Sequence, residues 1–269
     1  MRSANHFFDM KAAGRKIAML TAYDAPTARA EAAAGVDLIL VGDSVGTNIL
    51  GYASEKDVTI ADIAHHVRAV RRGAPDAYIV GDLPYRTCDS AADAIANSRV
   101  LAEAGADMVK FEGARPEIVK ALKDAGFPVC SHIGLEPQHH EEKRLKGRTA
   151  AEAKALVEAA KALDAAGVDM IVLEVIPEEL GAAITRAVRA PTIGIGGGRH
   201  TDGQVLVVVD LLGVNPGAFK HNRRYAEIGG ATAEAFKAYV RDVHDGAFPG
   251  PENAFKMKAE ESALFAKGV

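Results

Sequence analysis

Cysteine is scarce in this chain: Cys88 and Cys130 are the two among 269 residues. Two thiols build no disulfide framework, which sets aside the small secreted scaffolds that depend on one. They fit a reducing cytoplasm, as partly buried free thiols. Long hydrophobic runs are missing as well. No stretch approaches the roughly 18 consecutive apolar residues that a membrane-spanning helix needs. The opening segment, MRSANHFFDMKAAGRK, has no apolar core and no small-residue cleavage pattern, so no secretory leader is expected. Basic excess is absent too: the formal net charge is −4, which argues against a nucleic-acid partner. Nor does a linker or low-complexity tract divide the chain. A single domain over residues 1–269 is expected, with a helical C-terminal extension beginning at about residue 231.

What is present is an internal echo. EAAAGVDLILVGD (31–43), LAEAGADMVKFEG (101–113) and LDAAGVDMIVLEV (163–175) share one plan. Each has an Ala-rich helical end, then Ala-Gly-x-Asp, an apolar run and a carboxylate. Gly35, Gly105 and Gly167 stand where a helix stops, a position that favours the left-handed conformation. Between the echoes lie further short apolar runs: KIAMLTAYD, DAYIVGDLP, FPVCSHIGL, APTIGIGGG and QVLVVVDLL. That makes eight strand candidates, most of them separated by helical patterns such as DIAHHVRAVRRG and PEIVKALKDAG. Strands alternating with helices imply parallel βαβ units. Eight units in about 230 residues match a closed (β/α)8 TIM barrel, with an open doubly wound sheet as the other fold the pattern allows. QVLVVVDLL is the run that could equally be a buried helix.

Polar groups recur at the carboxyl ends of these strands, where parallel α/β folds bind their ligands. They are Asp24, Asp43 with Ser44, Asp82, Lys110 with Glu112, His132 and Glu174, followed by the glycines 196–198. Lys110 and Glu112 are two apart and so share a face, as do Cys130 and His132. Asp24 also reads as a helix N-cap before APTARAEAA. Asp43, Asp82 and Glu112 after consecutive strands offer an oxygen-rich site suited to Mg²⁺. The spacing of Cys and His does not suit zinc. HHEEKRLKGR (139–148) reads as a solvated loop, and His65 and His66 as surface residues of a helix.

These stretches, together with TAYD, LVGDSVG, VTIADIAHHVRAVRRGAP, GDLPY, AGADMVKFEG, PVCSHIGLEPQ, IVLEVIP, IGIGGG and TDGQVLV, resemble the ketopantoate hydroxymethyltransferases from about Ile17 to Pro249. The resemblance implies a Mg²⁺-dependent TIM barrel. It would move a one-carbon unit from 5,10-methylenetetrahydrofolate to 3-methyl-2-oxobutanoate, giving 2-dehydropantoate for pantothenate and coenzyme A synthesis. It assigns Asp43, Asp82 and Glu112 to the metal. Asp43, Ser44, Asp82, Lys110 and His132 fall to the substrate pocket, and Glu174 to proton transfer. It further implies a cytoplasmic homo-oligomer, a decamer, with small-molecule 2-oxo acid and folate partners and neither nucleic acid nor membrane.

That chemistry matches the inventory of residues. Carbon–carbon bond formation beside a ketone needs an enolate, and a bound cation acidifies the C–H. A carboxylate in a half-buried site is a stronger base, which fits Glu174. Three mouth segments depart from the family pattern: SEKDVT (54–59), HHEEKRLKGR (139–148) and GAFKHNRRY (217–225). They leave a second reading open, a related metal-dependent carbon–carbon lyase or aldolase acting on another 2-oxo acid.

Overall fold

The computed structural model describes residues 3–139, 144–217 and 219–268, which fall into two compact units. One comprises Met1–Leu211 with Gly217–Arg223, the other Leu212–Pro216 with Arg224–Val269.

The first unit is a (β/α)8 barrel. Its strands are β1 (Ile17–Thr21), β2 (Leu38–Val41), β3 (Tyr78–Asp82), β4 (Met108–Glu112), β5 (Val129–Gly134), β6 (Met170–Glu174), β7 (Thr192–Ile195) and β8 (Gly203–Leu206). All pair in parallel in sequence order, and β8 returns to β1 with Ile17 opposite Gly203. Closure removes the exposed edges that an open sheet would leave. The helices are α1 (Ala4–Ala12), α2 (Ala25–Ala34), α3 (Ile60–Gly73), α4 (Ala91–Ala104), α5 (Pro116–Asp124), α6 (Ala150–Ala165), α7 (Glu178–Ala187) and the short α8 (Val208–Leu211).

Local sequence explains most boundaries. Asp24 caps α2, its Oδ1 accepting from the Thr27 N–H at 2.8 Å. Thr59 with Asp62 and Thr149 with Glu152 form capping boxes at α3 and α6. Gly35 and Gly105 end α2 and α4 in the left-handed conformation, as the echo implies. Strands β2 to β5 are buried at every position, because helices cover their outer side and side chains fill the barrel within.

The interior packs Met19, Leu40, Val80, Met108, Met170 and Val205 into one cluster with Phe7 and Met10 of α1. Lys11 secures α1 by donating to the Thr185 and Ala190 carbonyls at 2.9 and 3.0 Å and pairing with Asp202 at 2.9 Å. With α1 packed into the amino-terminal half of the barrel, the carboxyl rim is left for chemistry.

QVLVVVDLL, expected as the eighth strand, divides in two. Gln204–Leu206 belong to β8, which begins at Gly203, and Val208–Leu211 turn into α8. The Val208 N–H donates to Thr21 Oγ1 at 3.0 Å, which draws the chain over the end of β1 and stops the strand. His66 is not a plain surface residue either: its Nδ1 lies 2.6 Å from the Tyr23 carbonyl oxygen. Cys88 and Cys130 are both buried free thiols. Of the charged segment 139–148, residues 140–143 lie outside the described residues.

In α2, Glu31 is 5% exposed and neither carboxylate oxygen has a hydrogen-bond partner. Burial, with repulsion from Asp24, pushes its pKa up to about 8. In the unfolded chain a glutamate titrates near about 4.3. Below that pH both states hold the proton and the site costs nothing. As pH rises the unfolded chain ionises first, so stability falls until about pH 8 and then levels off. Glu31→Gln is therefore expected to gain on the parent by on the order of 3 kcal/mol between acid and mildly alkaline pH. Urea melts at both ends of that range check it, and an equal difference at both contradicts it.

The second unit contains α9 (Ile228–His244) and α10 (Ala259–Gly268), and neither has a buried residue. Phe236, Tyr239, Val240 and Val243 of α9 stand exposed at the spacing of one helical face. Among the described residues no helix is long and apolar enough to cross a membrane.

Candidate active site

Neighbouring strands bring the polar rim together. Strand β3 carries Asp82 opposite Lys110 of β4, and Glu112 of β4 is opposite His132 of β5. Gly134 of β5 is opposite Glu174 of β6. Asp43 and Ser44 follow β2 after Gly42.

Lys110 and Asp82 form a buried ion pair, Nζ to Oδ2 at 2.8 Å, with 4% and 0% of each residue exposed. Burial alone would lower the lysine's pKa, yet Asp82, Asp43 and Glu112 hold it above the ordinary value, so it is a cation. The other carboxylate oxygen of Asp82, Oδ1, is buried without a partner. The Asp43 N–H lies 3.4 Å from Asp82 Oδ2. Burial, then repulsion from Asp82, pushes Asp43 up to about 8, against the pull of Lys110.

A second group adjoins the first. His132 Nε2 lies 2.9 Å from Glu174 Oε2, and its Nδ1 lies 3.5 Å from Glu112 Oε1. Burial would depress this histidine, but Glu112 and then Glu174 push it up to about 10; the two carboxylates favour the charged ring, although neither ring nitrogen is aligned for a hydrogen bond with them. Burial opposes ionisation of Glu112, but His132 and His139 outweigh it and hold its carboxyl well below the usual range. Directly after Glu174 the chain is strained: Val175 has φ +47°, a region that β-branched residues avoid. Its N–H donates to the Ile195 carbonyl at 2.9 Å and its own carbonyl accepts from the Lys146 N–H at 3.0 Å. Those bonds hold the strand exit in place beside the glutamate.

Three contributors escape a sequence reading. Tyr23, whose hydroxyl burial pushes up to about 12, lies 2.8 Å from Ser44 Oγ. Gln138, in the loop after β5, donates from Nε2 to Asp43 Oδ2 at 2.8 Å and from its backbone N–H to Glu112 Oε2 at 2.9 Å. His139 beside it has Nδ1 at 3.7 Å from Glu112 Oε2. Tyr23 lies in TAYD, Gln138 ends PVCSHIGLEPQ and His139 opens HHEEKRLKGR, read as a solvated loop, but only the three-dimensional contacts reveal their part.

Asp43, Asp82, Lys110, Glu112, His132 and Glu174 thus join one network, with Gln138 linking its two halves. Ser44 follows Asp43 and meets Tyr23. Asp24 is occupied in its helix cap. In the glycine turn after β7, the Gly197 carbonyl lies where a Cβ on Gly181 would come within 2.1 Å, so that turn serves close packing against α7. Among the described residues no three His, Cys, Asp or Glu side chains are gathered closely enough to hold a metal. A hard cation that keeps part of its water shell needs only one or two carboxylates. Asp43 and Asp82 could supply them: the Asp43 backbone N–H faces Asp82 Oδ2, Asp82 helps to raise the pKa of Asp43, and Asp82 Oδ1 lacks a partner.

A closed parallel barrel with buried acids, a buried ammonium and an imidazolium at its carboxyl rim is an enzyme scaffold. Solved structures with the same fold include 2,3-dimethylmalate lyase, a PEP mutase/isocitrate lyase superfamily member, at TM-score 0.62 and 14% identity, covering 100% of both chains. Phosphonopyruvate hydrolase in complex with oxalate and Mg²⁺ aligns at TM-score 0.61 and 12% identity, covering 99% of both chains. The sequence family described as ketopantoate hydroxymethyltransferase matches residues 2–251. The 3-methyl-2-oxobutanoate hydroxymethyltransferase of Desulfotalea psychrophila is 44% identical, over 96% of this chain and 95% of that protein. Its namesake from Thermus thermophilus is 46% identical over 91% and 96%. The chain belongs to the ketopantoate hydroxymethyltransferase family and is a transferase.

Proposed function

We propose that the chain transfers a hydroxymethyl group from 5,10-methylenetetrahydrofolate to 3-methyl-2-oxobutanoate, yielding 2-dehydropantoate, with Mg²⁺ or a similar divalent cation. The observation that carries this reading is the contact of Glu174 with His132 beside the Asp43–Asp82–Glu112 acids. It supports a proton acceptor that shares one network with the acids that would take the cation. Asp43 and Asp82 would hold the ion, with Glu112 behind them through its contacts to His132 and Gln138. A divalent cation supplies positive charge that acidifies a C–H beside a ketone.

The chain's own groups do the rest. Lys110 and Ser44 hold the substrate carboxylate and fix one orientation. Asp82 and His132 line the same pocket. Glu174 accepts the proton from C3, and the carbanion bonds to the one-carbon unit as its bonds to the folate nitrogens break. One water supplies the hydroxyl oxygen, and its remaining proton and the one held by Glu174 go to those nitrogens. His132 keeps the Glu174 carboxylate in place and neutralises part of the charge around it. Burial of the site limits the bulk water that would protonate the C3 carbanion before the one-carbon unit reaches it.

The same reading includes self-association, supported by the exposed stripe Phe236, Tyr239, Val240 and Val243, an apolar helix face of the kind that marks protein interfaces. A cytoplasmic setting accords with the two free thiols.

The test is a substrate panel with Mg²⁺, pairing several 2-oxo acids with methylenetetrahydrofolate or free formaldehyde. Folate-dependent turnover of 3-methyl-2-oxobutanoate is expected, and its loss in EDTA. Turnover of a different 2-oxo acid, with folate inert, would instead establish the lyase or aldolase reading.

A further inference from the structure

Gln138 has no charge and sits in a loop, yet it is 2% exposed and spends every N–H it owns on the rim. One side-chain N–H meets Asp43 Oδ2 at 2.8 Å, and the same nitrogen reaches the Leu83 carbonyl at 3.4 Å. Its backbone N–H meets Glu112 Oε2 at 2.9 Å. Asp43 follows β2, Leu83 follows β3 and Glu112 ends β4, so one residue ties three strand ends to the loop after β5. With both amide hydrogens directed, the side chain has one orientation.

The choice of an amide is informative. Asp43, Asp82 and Glu112 repel one another, and left alone their carboxylates would rotate apart. A lysine or arginine in this place would hold them but would also cancel the charge a cation needs. An amide holds one oxygen of Asp43 without neutralising it. We propose that Gln138 is a positioning residue, a neutral clamp whose side-chain amide fixes Asp43 in the arrangement with Asp82 that receives the divalent ion, while its backbone N–H anchors the clamp on Glu112. This rests on the metal-dependent reading above and goes beyond it, since Gln138 itself need not touch ion or substrate.

Groups that orient metal ligands typically account for about 10–100-fold in affinity. Gln138→Met preserves the length and bulk of the side chain and removes its amide donors to Asp43 and Leu83, while the backbone N–H stays on Glu112. Mn²⁺ titrated into the substrate-free protein is expected to bind the Met variant about 10-fold or more weakly than the parent, with circular dichroism showing the variant folded. Because the carboxylates remain, the activation constant for the metal rises while kcat at saturating metal largely survives. Gln138→Asn, which keeps the amide but falls one methylene short, is expected to behave likewise and decides the matter if the Met variant does not fold. A folded variant with parental Mn²⁺ affinity overturns the inference alone. A parent protein that binds no divalent ion overturns the inference together with the metal-dependent reading on which it rests.

Discussion

Glu174→Gln is expected to leave a folded barrel that still binds 3-methyl-2-oxobutanoate but turns it over about 10²–10⁴-fold more slowly, the usual contribution of a positioned general base. The substitution preserves shape and removes the proton acceptor. The His132 imidazolium then loses one of the two carboxylates that face it, Glu112 remaining at 3.5 Å. The loss should therefore fall on kcat, with KM moving little, because Lys110 and Ser44, the groups proposed to hold the substrate carboxylate, are untouched. Steady-state kinetics together with a substrate-binding titration check this. A Gln variant with parental kcat would remove Glu174 from the chemistry, and a variant that no longer binds substrate would give it a different role.

Lys110→Met is expected to cost about 3–5 kcal/mol of folding stability, the range for stripping one partner from a buried ion pair. The lysine is 4% exposed and Asp82 is fully buried, so solvent cannot take over. Asp82 already lacks a partner at Oδ1, and without the ammonium at Oδ2 its charge would stand in the core with little to balance it. On the proposed reading, in which the ammonium meets the substrate carboxylate, activity is lost as well. The double variant Lys110→Met with Asp82→Asn separates the two effects. Removing the stranded charge should recover much of the stability while activity stays absent. Denaturant melts of the single and double variants measure this. Equal instability in both would mean that packing, not the unpaired charge, sets the cost.

How much of this was legible in the sequence follows from what each signal depends on. The barrel was legible because helix stops at Gly35, Gly105 and Gly167, followed by short apolar runs, are local features. The rim was legible because a strand's last residues face the mouth whatever the rest of the chain does, so Asp43, Asp82, Lys110, Glu112, His132 and Glu174 could be placed by alternation and position. The pairing among them was not. Whether His132 meets Glu174 depends on the register of β5 against β6, and Lys110 meets Asp82 only because those residues stand opposite each other across β3 and β4. Gln138 was invisible because a neutral amide in a loop carries no periodic or charge signal. Glu31 was disguised by its Ala-rich helix, which looks solvent-facing until the helix is docked. The eighth strand was misjudged in length because Val207–Val209 suit a strand and a buried helical turn equally, and the contact with Thr21 decides.

The most direct test of the whole account is solvent-deuterium exchange at C3 of 3-methyl-2-oxobutanoate, followed by proton NMR without any folate. The account predicts exchange that requires both a divalent cation and Glu174, since enolisation precedes and is separable from one-carbon transfer. A correctly folded protein that catalyses no exchange under any metal condition would contradict it.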